Sequence, residues 1–506
     1  MDVTVTQGSI QSSDADTIVV NLFQGVTEPG GATGAVDGAL DGAIGELIAG
    51  GDFQGKEGEV AVLYPRGAIP ARRVLVTGLG ERESFGREQV RRAAAAAIKR
   101  ARDLKAEKVA TVVHGAGIGG EDTASAAQAT AEGSLLALYR YNAARQEEEE
   151  KHEVQSLTIV EFDEGKLTEI EHGVRAAEAV AAGVKLARDL VNEPPNVATP
   201  TRMAEAAAEI AEAYGLAITV GGREWAAEHE MGAFLAVAQG AGEPPKFIVL
   251  EHDGGQEDAS SIAGTIVIVG KGITFDTGGI SIKPSKDMGR MKADMGGAAA
   301  VLGAMKSVAL LDLPLRVIGI APCTENMPDA NAYRPADVIR ASNGKTIEII
   351  STDAEGRMVL ADGLVYAGRY QPDAVIDLAT LTGASVVALG ENVAAGLFST
   401  ETWLRDRLSA AGETTHERVW PLPLWDDYRE KIKSDVADIK NSGGRFGGVG
   451  TSASFLHTFT DYPWAHLDIA GVVASDKGSA YAPAGATGFG VRLLVEFLRN
   501  WKGQEE

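Results

Sequence analysis

Among the charged residues of two short segments of the sequence, four carboxylates and three basic residues could do chemistry together. The first runs from Gly270 through Lys271, Asp276 and Lys283 to Asp294, and the second is Ser351-Thr352-Asp353-Ala354-Glu355-Gly356-Arg357. Each follows a β-branched apolar run, residues 265–269 and 347–350. The charges therefore fall after strands that could be neighbours, where α/β sheets place their sites. Carboxylates forced together repel one another unless cations neutralise them. Divalent metals are the simplest answer, because two ions about 3.5 to 4 Å apart can share bridging carboxylates and activate a water between them. Oxygen-rich ligation suits Mn, Mg, Co or Zn without choosing among them. None of the eight histidines forms HExxH or HxxEH, so carboxylates must build any such site.

Each acid taken singly has a plainer reading. Asp294 precedes an alanine-rich helical pattern, residues 296–311, and could cap it, while Asp353 and Glu355 could serve the helix after Arg357. Their combination is what favours a metal centre. A phosphate loop at Gly270-Lys271 fails on spacing: Gly264 and Gly270 are separated by five residues rather than four, and Gly272 follows the lysine where Ser or Thr is needed.

The elements that must position these groups alternate between strand and helix. Residues 17–22, 73–77, 109–113 and 157–162 read as strands, and 41–49 and 88–104 as helices, which makes an α/β domain. The acidic run Glu147 to Glu150 reads as a solvated loop or helix end. A long helical pattern over 173–190 stops at Asn192-Glu193-Pro194-Pro195 and holds the domain joint. Beyond it, residues 265–269, 317–321, 347–350 and 374–378 resemble strands buried on both faces of a mostly parallel sheet. The expected organisation is an N-terminal domain over 1–170, a linking helix over 171–192 and a catalytic domain over 193–506.

A chain of 506 residues exceeds what one core usually supports, so two domains are expected. Its 71 acidic against 47 basic residues give a formal charge of -24, which opposes nucleic-acid backbones and anionic membranes. The basic stretch Arg91, Arg92, Lys99, Arg100, Arg102 and Lys105 reads as a solvated helix face. The single cysteine, Cys323, excludes an internal disulfide and reads as a small buried hydrophobe. The N-terminus lacks the basic start and apolar run of a signal peptide, and no stretch reaches about 18 uninterrupted apolar residues, so a cytoplasmic protein is expected.

The stretches Val269 to Asp276, Met291 to Ala298 and Thr352 to Arg357 resemble the leucyl aminopeptidases, the cytosol aminopeptidase family. So do Leu378 to Ala384, Pro463 to Asp468 and Gly485 to Gly490, and the likeness spans about residues 170 to 500. The resemblance implies a smaller, macro-like N-terminal α/β domain joined by a long helix to a larger catalytic α/β domain with a mostly parallel central sheet. It implies that Asp276 and Glu355 bridge two divalent ions, Mn or Zn foremost and Co or Mg as alternatives. Asp353 would bind one ion, and Lys271 with Asp294 the other. Lys283 would polarise the scissile carbonyl, and Arg357 would hold a bicarbonate that takes the proton from the attacking water. The backbone around Asp353 and Leu381 would hold the substrate, a peptide with a free amino terminus whose first residue is Leu or another apolar residue. Active members of the family are usually hexamers, so the resemblance implies a homohexamer. Ser351 stands where the family usually has Asn, a change that touches a supporting hydrogen bond and no ligand. A dipeptidase with the same chemistry and a DNA-binding regulator are the alternatives, the latter opposed by the net charge.

Overall fold

The structure, a computed structural model, describes residues 1–116, 119–141, 152–254 and 262–504. Two units emerge from the packing: Met1–Ala181 with Gly478–Pro483, and Ala182–Lys477 with Ala484–Glu506.

The first unit is built on a six-stranded sheet. Its strands are β1 (Asp2–Gln7), β2 (Thr17–Leu22), β3 (Val60–Leu63), β4 (Arg73–Gly78), β5 (Lys108–Thr111) and β6 (Ser156–Glu161), in the order β1-β6-β5-β2-β4-β3. All neighbours run parallel except β3, which lies antiparallel to β4 at one edge. Helices α1 (Gly31–Ala39), α2 (Ala43–Gly50), α3 (Arg87–Asp103) and α4 (Thr123–Ala137) connect the strands, followed by α5 (Leu167–Asn192). Alanines on α3 and α4 let the two helices approach closely, and their contact carries a buried ion pair: Arg91 Nε stands 2.8 Å from Glu132. The expected solvated face of α3 is corrected here, because Arg91 is only 2% exposed and turns inward to Glu132. Arg92, half-exposed, is also paired, with Glu57 and Glu88. The acidic run Glu147 to Glu150 lies outside the described residues.

His114, just past β5, is buried between Asn21, whose side-chain nitrogen is 2.9 Å from Nδ1, and Thr111, 3.4 Å from Nε2. Burial pushes its pKa down to about 4. The unfolded chain, with a histidine pKa near 6.5, therefore binds a proton before the folded one does. This group's contribution weakens as pH falls from about 6.5 to about 4, by on the order of 3 kcal/mol in total. The thermal midpoint is expected to fall between pH 7 and pH 5, and His114→Gln to flatten that fall; an unchanged slope in the variant would remove His114 from the account.

The second unit opens with α6 (Pro200–Tyr214), α7 (Arg223–Glu228) and α8 (Gly232–Ala238) around β7 (Ala217–Gly221) and β8 (Lys246–Asp253). It continues through β9 (Thr265–Gly270), β10 (Gly272–Asp276), α9 (Gly296–Leu311), β11 (Arg316–Asn326), β12 (Val338–Arg340), β13 (Thr346–Glu348), α10 (Gly356–Ala367) and β14 (Ala374–Ala379). Among the later strands are β15 (Ala395–Ser399), β16 (Val419–Pro421), β17 (Ile439–Lys440) and β18 (Trp464–Asp468). Nine strands form one sheet in the order β16-β15-β18-β14-β9-β11-β8-β7, with β10 also paired to β11. Its centre, β18-β14-β9-β11, is parallel, and every residue of β14 and β18 is buried, including Asp377 and His466, which pair with each other at 2.6 Å. Residues 347–350 do not join this sheet. Ile347 lies in a separate three-stranded sheet, β12-β13-β17, and Ile350 is exposed, because a short apolar run does not by itself say which sheet it enters.

Helix α9 packs on this sheet, and the segment Met288–Leu311 is long and apolar enough to cross a membrane by length and composition, yet 78% of its apolar window is buried inside the protein. A core helix buried against a sheet meets that description. Gly183 of α5 and Gly303 of α9 allow the two helices to touch: a Cβ on Gly183 would lie 2.2 Å from the Gly303 carbonyl oxygen. Cys323 is buried in β11, as expected of a small hydrophobe.

Candidate metal centre

Three consecutive features of the chain deliver the site's first group. Strand β9 ends at Gly270, Lys271 follows, and β10 ends on Asp276. Asp276 faces Asn326 at the end of β11, where the register shifts. The last turn before α9 brings Asp294, and the turn before α10 brings Asp353 and Glu355. All seven predicted charged residues, Lys271, Asp276, Lys283, Asp294, Asp353, Glu355 and Arg357, lie in this second unit. The structure brings the first six together as two ion-paired groups, Lys271 with Asp294 and Glu355, and Lys283 with Asp276 and Asp353, with Arg357 the second residue of α10.

Lys271 Nζ stands 2.8 Å from Asp294 Oδ2 and 2.8 Å from Glu355 Oε1, and donates a hydrogen bond of 2.9 Å to the Thr380 carbonyl. Lys283 Nζ stands 2.7 Å from Asp276 Oδ2 and 2.6 Å from Asp353 Oδ1. Oxygens of Asp276, Asp353 and Glu355 all lie within 4.8 Å of one another. Close glycines make this crowding possible. A Cβ on Gly356 would sit 2.4 Å from Lys271 Cε, and one on Gly297 would sit 2.1 Å from the Leu378 carbonyl oxygen.

Capping does not explain these acids. Glu355 occupies the cap position of α10 and Met295 that of α9, and neither terminus has a side-chain cap. Asp294 instead accepts hydrogen bonds from Lys271 at 2.9 Å and from the Thr380 hydroxyl at 2.7 Å.

The electrostatics leave a demand for cations. Burial alone would lower the Lys271 and Lys283 ammonium pKa values, but their carboxylate neighbours overcome it and hold both above the ordinary lysine value. Burial raises the carboxyls of Asp294, Glu355 and Asp353, and repulsion from Asp276 adds to this against the pull of the lysines. Four carboxylates against two lysines leave an excess of two negative charges in a largely dry site. Glu355 Oε2 is buried and accepts no hydrogen bond among the described residues. An unsatisfied buried acceptor beside excess negative charge is what a divalent cation completes, so the donor set fits a metal centre. Asp353, whose side chain is 39% exposed, opens the site to solvent.

Arg357 is buried, and burial pushes its pKa down to about 10 despite the nearby Glu355. It donates one hydrogen bond, 2.8 Å, to the Asn441 carbonyl, and its Nε has no partner among the described residues. Leu381 follows β14, and its N–H is directed to Asp468 Oδ1 at 3.2 Å, so toward a ligand it can offer only its carbonyl.

Several supporting residues are not evident from the sequence. Asn326 donates to Asp276 Oδ1 at 2.8 Å and to the Thr352 carbonyl at 3.0 Å, which the Tyr333 hydroxyl also reaches at 3.0 Å. The polar end Thr324-Glu325-Asn326 of an otherwise largely apolar strand was the available signal for Asn326. Ser351, which replaces the usual Asn, accepts from the Asp353 N–H at 3.2 Å, while Asn441 Oδ1 accepts from Ile350 N at 2.8 Å and Ser351 N at 3.3 Å. The loop that carries Asp353 is thus still tied down.

The chain is similar to known proteins over nearly its whole length. The family model described as "Cytosol aminopeptidase family, catalytic domain" matches residues 185–495, and "Cytosol aminopeptidase family, N-terminal domain" matches 19–148. A probable cytosol aminopeptidase of Roseiflexus castenholzii is 48% identical over 99% of both chains, and one of Methylobacillus flagellatus is 42% identical over 100% of both. Among solved structures, a tomato leucine aminopeptidase mutant superposes with a TM-score of 0.86 at 34% identity, covering 99% of this chain and 97% of that one. The Mn complex of the bottromycin maturation enzyme BotP gives a TM-score of 0.83 at 38% identity, covering 96% and 99%.

Proposed function

Because the chain belongs to the cytosol aminopeptidase family, a family of metal-dependent peptidases, we propose that it releases N-terminal residues, Leu and other apolar ones foremost, from peptides in the cytoplasm. The observation that carries this reading is the convergence of Lys271, Asp276, Asp294, Asp353 and Glu355 in one cation-poor cluster. Asp276 and Glu355 would bridge two divalent ions, Mn or Zn, with Asp353 on one and Lys271 with Asp294 on the other. Such ions, when bound, supply a nucleophilic water of lowered pKa and a positive field for the substrate's amino group and carbonyl.

The chain's own groups do the rest. Lys271 must surrender its proton to act as a ligand, since an ammonium has no lone pair. Lys283, held by Asp276 and Asp353, donates its N–H toward the scissile carbonyl oxygen and stabilises the charge that develops there. Arg357, with one hydrogen-bonding arm held by Asn441 and Nε unpartnered, has the donors to hold a bicarbonate, which supplies a base for the water's proton. The backbone at Asp353 and the carbonyl of Leu381 keep the peptide in register, so that positioning contributes alongside the charges. The active assembly in this reading is a homohexamer.

The test of selectivity is a peptide series. A Leu-initiated peptide is expected to lose its first residue, and the same peptide N-acetylated to be inert; cleavage of the blocked peptide, or of dipeptides alone, would overturn the reading. Asn326 gives a second prediction. Removing its hydrogen bond to Asp276 in Asn326→Ala is expected to weaken metal affinity by about 10- to 100-fold, read by titration of stripped protein. Unchanged affinity would show that Asp276 does not depend on Asn326 for its position.

A further inference from the structure

The stretch Pro463 to Asp468 has no part in the reaction described above, yet its last residue holds the turn that supports the metal centre. Asp468 ends β18 and is fully buried. Parallel pairing sets it opposite Ala379, the last residue of β14, so its carboxylate lies where the turn Thr380-Leu381-Thr382 leaves that strand. Asp468 Oδ1 accepts from the N–H groups of Leu381 at 3.2 Å, Ala470 at 3.3 Å and Thr382 at 3.4 Å. Its Oδ2 accepts from the Thr382 hydroxyl at 2.6 Å. The plain reading of these bonds is an anchor for the next helix, α11 (Gly383–Leu389), because Thr382 caps it by accepting from Ser385 N at 3.0 Å.

The other side of the same turn faces the metal centre. The Thr380 carbonyl accepts from Lys271 Nζ at 2.9 Å, and the Thr380 hydroxyl donates to Asp294 Oδ1 at 2.7 Å. Lys271 and Asp294, the pair read above as holding one ion, therefore both lean on Thr380. Of the three oxygens around Lys271 Nζ, two belong to Asp294 and Glu355, themselves proposed ligands. The Thr380 carbonyl is the partner left to orient the amine. An amine ligand has one lone pair, so an N–H held by an outer acceptor sets the direction in which that lone pair points.

A single peptide unit separates Asp468 from Lys271. The Thr380–Leu381 bond is trans, so its carbonyl and its N–H point in opposite directions in one plane. The N–H rests on Asp468 and the carbonyl on Lys271, which fixes the unit at both ends. Turning the carbonyl away from Lys271 would also break the bond to Asp468. Hydrogen bonds linked in this way polarise one another, so the carboxylate strengthens the carbonyl as an acceptor as well as aiming it.

We propose that Asp468 is a positioning residue for the metal centre: through the Thr380–Leu381 peptide it holds Lys271, and through Thr380 it holds Asp294, in place for the ion they share. The inference rests on the reading of Lys271 and Asp294 as ligands. The test is titration of metal-stripped, full-length protein with Mn against a competing chelating dye, for the parent, Asp468→Ala and Asp468→Asn, each checked for folding and assembly. Alanine removes the acceptor of the Leu381 N–H, and is expected to weaken one of the two Mn steps by about 10- to 100-fold while the other stays within about threefold. Asparagine keeps one oxygen able to accept that N–H but loses the charge, and is expected to weaken the same step by about three- to tenfold. Leucine release at the Mn concentration that half-saturates the parent should fall in the same order. Variants that are less stable to heat but bind both ions as the parent does, or that weaken both steps equally, would overturn the proposal and leave Asp468 as an anchor for α11. If Asp468→Ala does not fold, Asp468→Asn decides by the same criterion. A parent that binds no Mn would overturn the metal reading and this inference with it. A parent that binds two Mn ions but releases no leucine would overturn the peptidase reading alone, and the two metal steps would still decide the role of Asp468.

Discussion

Glu355→Gln is expected to lower leucine release from a Leu-initiated peptide by at least about a thousandfold, equivalent to about 4 kcal/mol of transition-state stabilisation. Glu355 is buried, its Oε1 contacts Lys271, and its Oε2 has no hydrogen-bond partner among the described residues. In the proposed centre Glu355 and Asp276 would each hold both ions, whereas every other ligand would hold one. Glutamine preserves its volume while removing the charge, which keeps the packing at the start of α10 and isolates the electrostatic effect. The measurement is kcat/KM at saturating metal, alongside the far-ultraviolet spectrum and assembly state of the variant. Activity within tenfold of the parent, in correctly assembled protein, would mean that Glu355 does not hold the ions.

Lys283→Gln is expected to lower kcat by about a hundred- to a thousandfold while leaving KM and metal content nearly unchanged. A donor aimed at a developing oxyanion acts in the transition state and contributes little to ground-state binding. Its contacts with Asp276 and Asp353 set its direction, and 23% exposure of its side chain leaves it accessible to substrate. A variant that instead loses metal would give Lys283 a structural role in balancing the carboxylates; one that raises KM alone would place it in ground-state binding.

Much of this site was legible because its residues sit in contiguous motifs. The β-branched run before Gly270 became β9, and the acids after it converge as expected. What the motifs did not carry is contact across distant parts of the chain. Asn326 reaches Asp276 over 50 positions, and Thr380 reaches Asp294 over 86; no local spacing encodes either bond. Helix α1 was missed because three of its nine residues are glycine, which lowers helix propensity below what a local pattern can signal. Residues 347–350 had the composition of a central strand, but strand pairing follows tertiary packing, and β13 entered the smaller sheet. Arg91 looked like one charge in a solvated run, yet its partner Glu132 lies on another helix, 41 positions away. In each case the residue types were visible and the partner was not.

The most direct test of the metal centre is to strip the protein of divalent ions, confirm that it remains folded and assembled, and return Mn or Zn in measured steps while following leucine release from leucine amide. The account predicts no release from the stripped protein, recovery that saturates at about two ions per chain, and no recovery in Asp353→Ala. Full activity in protein freed of metal, or full recovery with a single ion per chain, would contradict it.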